Sequence, residues 1–357
     1  MAYSTSLLRT TVPSLINDIL VRVCSVVVVS VYHLKLISLS QFVFCNVLIY
    51  GVQMAMVFIY VWWIDKPGII PDREKFSREE IASMLRFGII LSFAILSSIG
   101  LKEVSVIIIG KYLPLAQAGI YSIAAFIPLV IEAPLNALDR IVQPKTSSAW
   151  AANNLGEIKT IYVKSSRYLL LIGGLIFLGI NLNIESLMKL LPQDYSMGIP
   201  VVIIISLGSV FNLATGLNDA IIYYSEKYLS GIYLLVIMFV LAITLNIILI
   251  PAFGLTGAAI ATAGASLAYN ILKFIFIRKN FSLQPFDMKT LKIIAVIIIV
   301  WLIIHFVPAI SFPIADIIIR SLFIITLYCG IIYFWKIVPE LEPVILSYLK
   351  KITGRSF

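Results

Sequence analysis

Ten stretches of apolar residues, each close to the length of a membrane-crossing helix, alternate along the chain with short charged segments. About 20 helical residues cross the hydrocarbon core of a bilayer. The pattern predicts helices over residues 16–34, 40–63, 87–110, 115–138, 167–184, 197–219, 228–250, 254–277, 290–308 and 314–337. Trp62, Trp63 and Trp335 stand at the ends of runs, where interfacial aromatics belong. Within Leu245 to Thr262 the pattern predicts two apolar helices meeting at a tight Pro/Gly turn at Pro251. The second opens on a ladder of small residues, Gly257, Ala258, Ala261, Thr262, Gly264, Ala265 and Ala268, which lets helices approach closely. Gly173-Gly174 predicts a second close-packed or flexible point.

Composition agrees with the pattern. The chain is 61% hydrophobic and 13% charged, with a mean hydropathy of +1.03. Soluble domains are nearer half apolar and a quarter charged. The expected fold class is an all-α integral membrane protein, a polytopic bundle of about ten transmembrane helices.

The net charge of +9 would suit nucleic acid, but its distribution points elsewhere. With the N-terminus placed in the cytoplasm, 21 of the 27 Lys and Arg fall on inner loops, Arg167 and Lys273 among them. Lys35, Lys111 and Lys189 fall outside. That asymmetry supports the span count and an orientation with both termini cytoplasmic; no nucleic-acid partner is expected.

Ser77 to Arg86 predicts a surface-lying amphipathic helix, capped by Ser77 with Glu80 three residues on. Residues 143–166 suggest another, and Ile337 to Phe357 a short interfacial helix with a basic end. The resulting division is 1–64 with two spans, a loop over 65–86, six spans over 87–277, and two further spans with a basic tail over 278–357. Met1 to Asn17 lacks the pattern of a cleavable signal peptide. Cys24, Cys45 and Cys329 lie in apolar runs without motif spacing, so buried inert thiols are expected.

Ionisable residues inside spans are costly and mark candidate sites. Lys102-Glu103 lies in the middle of the third span, as a cavity-facing pair or as an internal ion pair holding the bundle. Glu132 lies deep in the fourth, beside Pro134 and Asn136. It is either a proton or cation site or a neutral hydrogen-bonded carboxyl. Pro134 frees a carbonyl one turn back and can break the helix there. Asp139-Arg140 suits a snorkelling interfacial pair. Asp18/Arg22 and Asp316/Arg320 are each spaced i, i+4, on one helix face, and Arg22 could face a cavity. Asn218-Asp219 closes the sixth span, with Asn212 below, as pore lining or as a cap. His33 and His305 offer no readable metal site or proton relay. No P-loop run is present, nor an acidic loop suited to a nucleotide-sugar transferase.

Four stretches resemble the lipid-linked oligosaccharide (O-antigen type) flippases, the polysaccharide-transport branch of the multidrug/oligosaccharidyl-lipid/polysaccharide exporter superfamily. They are Leu85-Arg86-Phe87-Gly88; Lys102-Glu103 followed by Ile107 to Tyr112 and Ala118 to Ser122; Tyr195-Ser196-Met197-Gly198; and Asn246 to Thr262. The resemblance implies two helical bundles around a central cavity. Spans three to eight would form the second bundle, spans nine and ten the extra pair, and the N-terminal bundle would be short by about four helices. It further implies a flippase, not an enzyme and without a cofactor. Its substrate would be a polyprenyl-pyrophosphate-linked oligosaccharide, moved across a bacterial plasma membrane for polysaccharide or lipopolysaccharide synthesis. Polysaccharide polymerase or chain-length machinery would be its partners. Lys102 and Arg22 would meet the anion, with Asn218 in the cavity wall. Glu103, Glu132 and Asp219 would set cavity charge or couple to an ion. Other readings stay open: a cation-coupled drug antiporter of the same superfamily, which predicts an acidic cavity; a membrane-embedded polymerase or acyltransferase, which predicts a large outer loop; and a non-transporting remnant.

Overall fold

The computed structural model describes Val12 and residues 16–65, 77–308 and 310–337, with the side chains of these except 17, 18, 65, 83, 86, 87, 89–102, 140 and 193. All regular structure among them is helical. The chain divides into two units, Met1–Ser83 and Met84–Phe357.

In the first unit one π-turn, Ile16–Leu20, leads into α1 (Val21–His33), and α2 follows (Leu39–Asp65). The connection carries Lys35 in a left-handed conformation. Ser38 and Gln41 cap α2 reciprocally: the Ser38 N–H donates to Gln41 Oε1 at 2.8 Å, and the Gln41 N–H to Ser38 Oγ at 3.4 Å. Val26, Val47, Met54 and Trp63 project outward, as suits helices whose solvent is hydrocarbon.

The boundary between the units falls within α3 (Arg78–Tyr112), most of which belongs to the second. The Ser77 N–H donates to Glu80 Oε2 at 2.8 Å, and the Glu80 N–H to Ser77 Oγ at 3.2 Å. Hydrogen bonding to it from the Ser77 backbone N–H and hydroxyl holds the Glu80 carboxyl below its usual value. Next come α4 (Leu115–Phe126), a 3₁₀ stretch (Ile127–Glu132) and α5 (Ala133–Ala151). Pro134 has no N–H to give; the carbonyl of Val130, one turn back, accepts from Ala133 instead. Then follow α6 (Leu155–Asn181), short α7 (Ile184–Met188), a 3₁₀ turn (Gln193–Gly198), α8 (Ile199–Ala214) and α9 (Asn218–Tyr223). The chain continues through α10 (Tyr228–Phe281), α11 (Met288–His305) and α12 (Pro313–Phe334).

Seven helical stretches among the described residues are long and apolar enough to cross a membrane, and α10, at 54 residues, is long enough for two crossings. The protein is a polytopic helical membrane bundle. The helices depart from the sequence pattern in several places. α10 changes direction at Gly254 (φ 58°, ψ −134°), not at Pro251, which stays helical. Only glycine takes those angles without strain. The sixth span stops at Ala214, short of Asn218-Asp219, because the chain turns at Gly216 (φ 67°) and restarts as α9. Residues 143–166 belong to two helices rather than one, with Asn153 in a left-handed turn between them and Asn154 capping α6. Cys329 is exposed and Cys24 and Cys45 are half-buried, so none is a core thiol; all three are free. Residues 338–357, read as a tail helix, lie outside the described residues.

α8 is central to the second unit. Leu213, Leu169, Leu170, Ile297 and Val300 join it to α6 and α11. Val201, Val202, Tyr121, Ile250 and Ala258 join it to α4 and α10. Without a hydrophobic drive between helices in lipid, close backbone approach does the work. A Cβ on Gly173 would meet Leu213 Cδ1 at 2.0 Å, and one on Gly174 would meet Ile297 Cδ1 at 2.5 Å, so the glycine pair is a close-packed point. A Cβ on Gly208 would lie 3.3 Å from that of Ala263, and one on Gly257 only 2.1 Å from the Leu249 carbonyl oxygen. The small-residue ladder thus faces both its own hairpin partner and α8.

Candidate functional site

Polar side chains inside the second unit gather around one cavity of about 580 Å³. Its wall takes Glu132 from the 3₁₀ stretch, Gln143 from α5, Ser209 and Asn212 from α8, and Asp219, Tyr223 and Tyr224 from α9 and its end. The second limb of α10 supplies Thr262, Ser266, Tyr269, Asn270 and Lys273. The helix break at Thr215–Leu217 swings α9 against α10, and this brings Asp219 opposite Lys273.

The centre of the site is an ion pair. Lys273 is 2% exposed, and its ammonium donates to Asp219 Oδ1 and Oδ2 at 3.2 and 3.1 Å. The same ammonium stands 4.1 Å above the Tyr269 ring, a favourable cation–π placement. The Tyr269 hydroxyl donates to Asp219 Oδ1 at 3.2 Å. The Asp219 side chain is nevertheless 53% exposed, so one face of the pair is open. Asp139 lies near enough to feel the charges of both Asp219 and Lys273, and is hydrogen-bonded to Gln143. Gln143 Oε1 accepts from the Tyr224 hydroxyl at 3.3 Å. The Thr215 hydroxyl bridges the Asn212 carbonyl and Asn270.

Glu132 and Asp219, both read from the sequence as coupling candidates, therefore line the same cavity. Asn218, beside Asp219, is buried, and its Oδ1 accepts from the Tyr162 hydroxyl rather than facing the cavity. Glu103 is exposed on α3 and Arg22 exposed on α1, in the other unit. The Lys102 side chain lies outside the described residues. Two residues assigned to inner loops by charge prove to be internal. Lys273 is one. Arg167 is the other, buried and paired with Asp287, the residue that caps α11 by accepting from the Thr290 N–H at 2.8 Å. The signal for Lys273 was its spacing: Tyr269, Asn270 and Lys273 recur at i, i+1 and i+4 in an otherwise apolar run.

A second, mostly apolar cleft of about 850 Å³ lies between α6, α8 and α11, lined by Phe177, Leu207, Phe211, Ile298 and Trp301. At one end Asp316 accepts from the Ser186 hydroxyl at 2.7 Å and from the Ile310 N–H at 2.9 Å, and pairs with Arg320 at 3.4 Å. That polar cluster ties α12 to α7.

No curated protein matches the chain. Residues 10–181 match the sequence model of a family described as "Polysaccharide biosynthesis protein", a stretch that includes Glu132 and ends before α8, α9 and α10. Over that stretch this multi-pass membrane protein is similar to proteins of polysaccharide biosynthesis.

Proposed function

We propose that the protein is a flippase which moves a polyprenyl-pyrophosphate-linked oligosaccharide from the inner to the outer leaflet of a bacterial plasma membrane, and that it is not an enzyme. The observation that carries this reading is the polar cavity inside an otherwise apolar bundle, in a chain whose first half matches a polysaccharide biosynthesis family. A glycan headgroup needs hydrogen-bonding groups at membrane depth, while its lipid chain needs apolar surface; the cavity offers the first and the α6/α8/α11 cleft the second. Both termini would be cytoplasmic, by the charge asymmetry of the loops. Movement would be rocking of helical bundles around the site.

The test is leaflet exchange. Protein in proteoliposomes should speed the appearance of labelled lipid-linked oligosaccharide on the far leaflet, and Glu132→Gln should slow it at least severalfold. Well-folded protein that leaves exchange at the rate of empty liposomes sinks the reading. One observation favours a second reading, a cation-coupled drug antiporter: the carboxylates of Glu132 and Asp219 outnumber the one described ammonium in the cavity wall, Lys273. That reading expects ethidium efflux from the same proteoliposomes under an ion gradient.

A further inference from the structure

We infer that the cavity of the second unit is a seat for sugar rings carrying no net negative charge, neutral or amino sugars, and that the pyrophosphate of a lipid-linked substrate does not bind there. The inference rests on the flippase reading for its substrate class and on the cavity for everything else.

The first argument is open hydrogen-bonding capacity. Glu132, Ser209, Asn212 and Ser266 all line the cavity, and none of their side chains has a hydrogen-bond or ion-pair partner among the described residues. Ser209 is only 5% exposed, so its hydroxyl sees little besides the cavity. Serine in a helix can turn back on its own carbonyls; Ser122 and Thr146 do so in this chain, but Ser209 and Ser266 do not. Polar groups left open at membrane depth are costly unless something hydrogen-bonds to them. A hydroxyl-rich ligand, with donors and acceptors at every carbon, does so. An apolar ligand would strand them.

Aromatic surface is the second. Tyr223 and Tyr224 stand in the wall, 38% and 40% exposed. Their rings offer flat apolar faces beside amide and carboxylate groups, and sugar rings have apolar faces of their own to set against them. At about 580 Å³ the space lies within the range of small-molecule sites, roughly 300–1,000 Å³.

Charge decides the rest. The only described cation in the wall is Lys273, and both of its short contacts go to Asp219. A phosphate seeks uncommitted Lys or Arg; here it would meet Glu132 and Asp219 instead. A bare divalent cation is equally ill served, since it needs about six oxygens or more and both Asp219 oxygens already accept from Lys273.

Purified full-length protein in nanodiscs, probed by saturation-transfer NMR, tests this. The probes are N,N′-diacetylchitobiose (neutral), chitobiose (cationic), digalacturonate (acidic), inorganic pyrophosphate and tetraphenylphosphonium. The first two should bind, and Asn212→Leu should weaken both about tenfold. Glu132→Gln should weaken chitobiose far more than the neutral sugar. Ser209→Ala, the mildest change in the wall, should weaken both severalfold if Asn212→Leu fails to give a monodisperse protein. Binding of digalacturonate or pyrophosphate as tight as that of the neutral sugar overturns the inference. So does binding of tetraphenylphosphonium without either sugar. Sugar binding without leaflet exchange leaves this inference standing and removes the flippase reading; exchange without sugar binding does the reverse.

Discussion

At the scale of the residue, the two members of the Lys273–Asp219 pair are not equivalent. The ammonium is enclosed, while the carboxylate keeps about half its side chain open. Removing one partner of a fully buried pair costs about 3–5 kcal/mol. Asp219→Asn strands a buried cation and should cost about 2–3 kcal/mol, reduced by the solvent already at the site. Lys273→Met leaves a half-solvated carboxylate and should cost about 1 kcal/mol. The double variant should regain most of the loss. Thermal unfolding in detergent reads all three, and equal costs for the two single variants would refute the asymmetry. None of this was legible from charge counting, which sorts residues by loop and span. Lys273 sits near the end of a run, so counting made it a loop residue. Its neighbours Tyr269 and Asn270 carried the information that it was internal. The place of Glu132 in a cavity wall was legible because ionisable residues within spans almost always face the bundle interior or a cavity.

Elements show a similar division. The hairpin in α10 was visible in sequence as Pro251 and a small-residue ladder, but the pivot is Gly254 and the closest approach is Gly257. Proline attracts attention because it loses a hydrogen bond and crowds the carbonyl one turn back, yet Pro251 stays within the helix and the positive φ of Gly254 is what reverses this chain. Gly254→Ala should cost about 1–2 kcal/mol through the left-handed backbone. Gly257→Ala should cost more, because its methyl meets the Leu249 carbonyl rather than a movable side chain. Unchanged unfolding temperatures for Gly257→Ala would contradict the close approach. The junction of α6 with α11 has a pH signature. Burial would raise the Asp287 carboxyl, but the Thr290 N–H and hydroxyl and the Arg167 guanidinium outweigh it and hold it below the ordinary 3.8. Its stabilising contribution is therefore complete above that value and is lost as pH falls through the depressed one. Asp287→Asn should lower stability at neutral pH by about 1 kcal/mol and flatten the acid limb of the stability profile. An acid limb identical to that of the parent protein would show that the cap carries no such load.

For the whole molecule, hydrophobic runs were enough to reveal a polytopic helical bundle, because a bilayer admits few other folds. The grouping of helices was not in those runs. It depends on which faces meet, and the small residues at Gly173, Gly174 and Gly208 that settle the matter look alike wherever they occur. The alternation of sides can be tested directly. With Cys24, Cys45 and Cys329 replaced by alanine, Ser311→Cys should react with an impermeant maleimide on intact cells. Lys279→Cys should react only after permeabilisation. Labelling of both from the same side would show that α11 does not cross the membrane. One last consequence lies in the fourth span. Its middle is not a continuous α-helix: six residues, Ile127–Glu132, wind as 3₁₀ between α4 and α5, and such a stretch within a longer helix is a natural joint. Glu132 is its last residue. Whatever takes hold of that carboxylate therefore grips the rod at its elbow, where the least force produces the most bend.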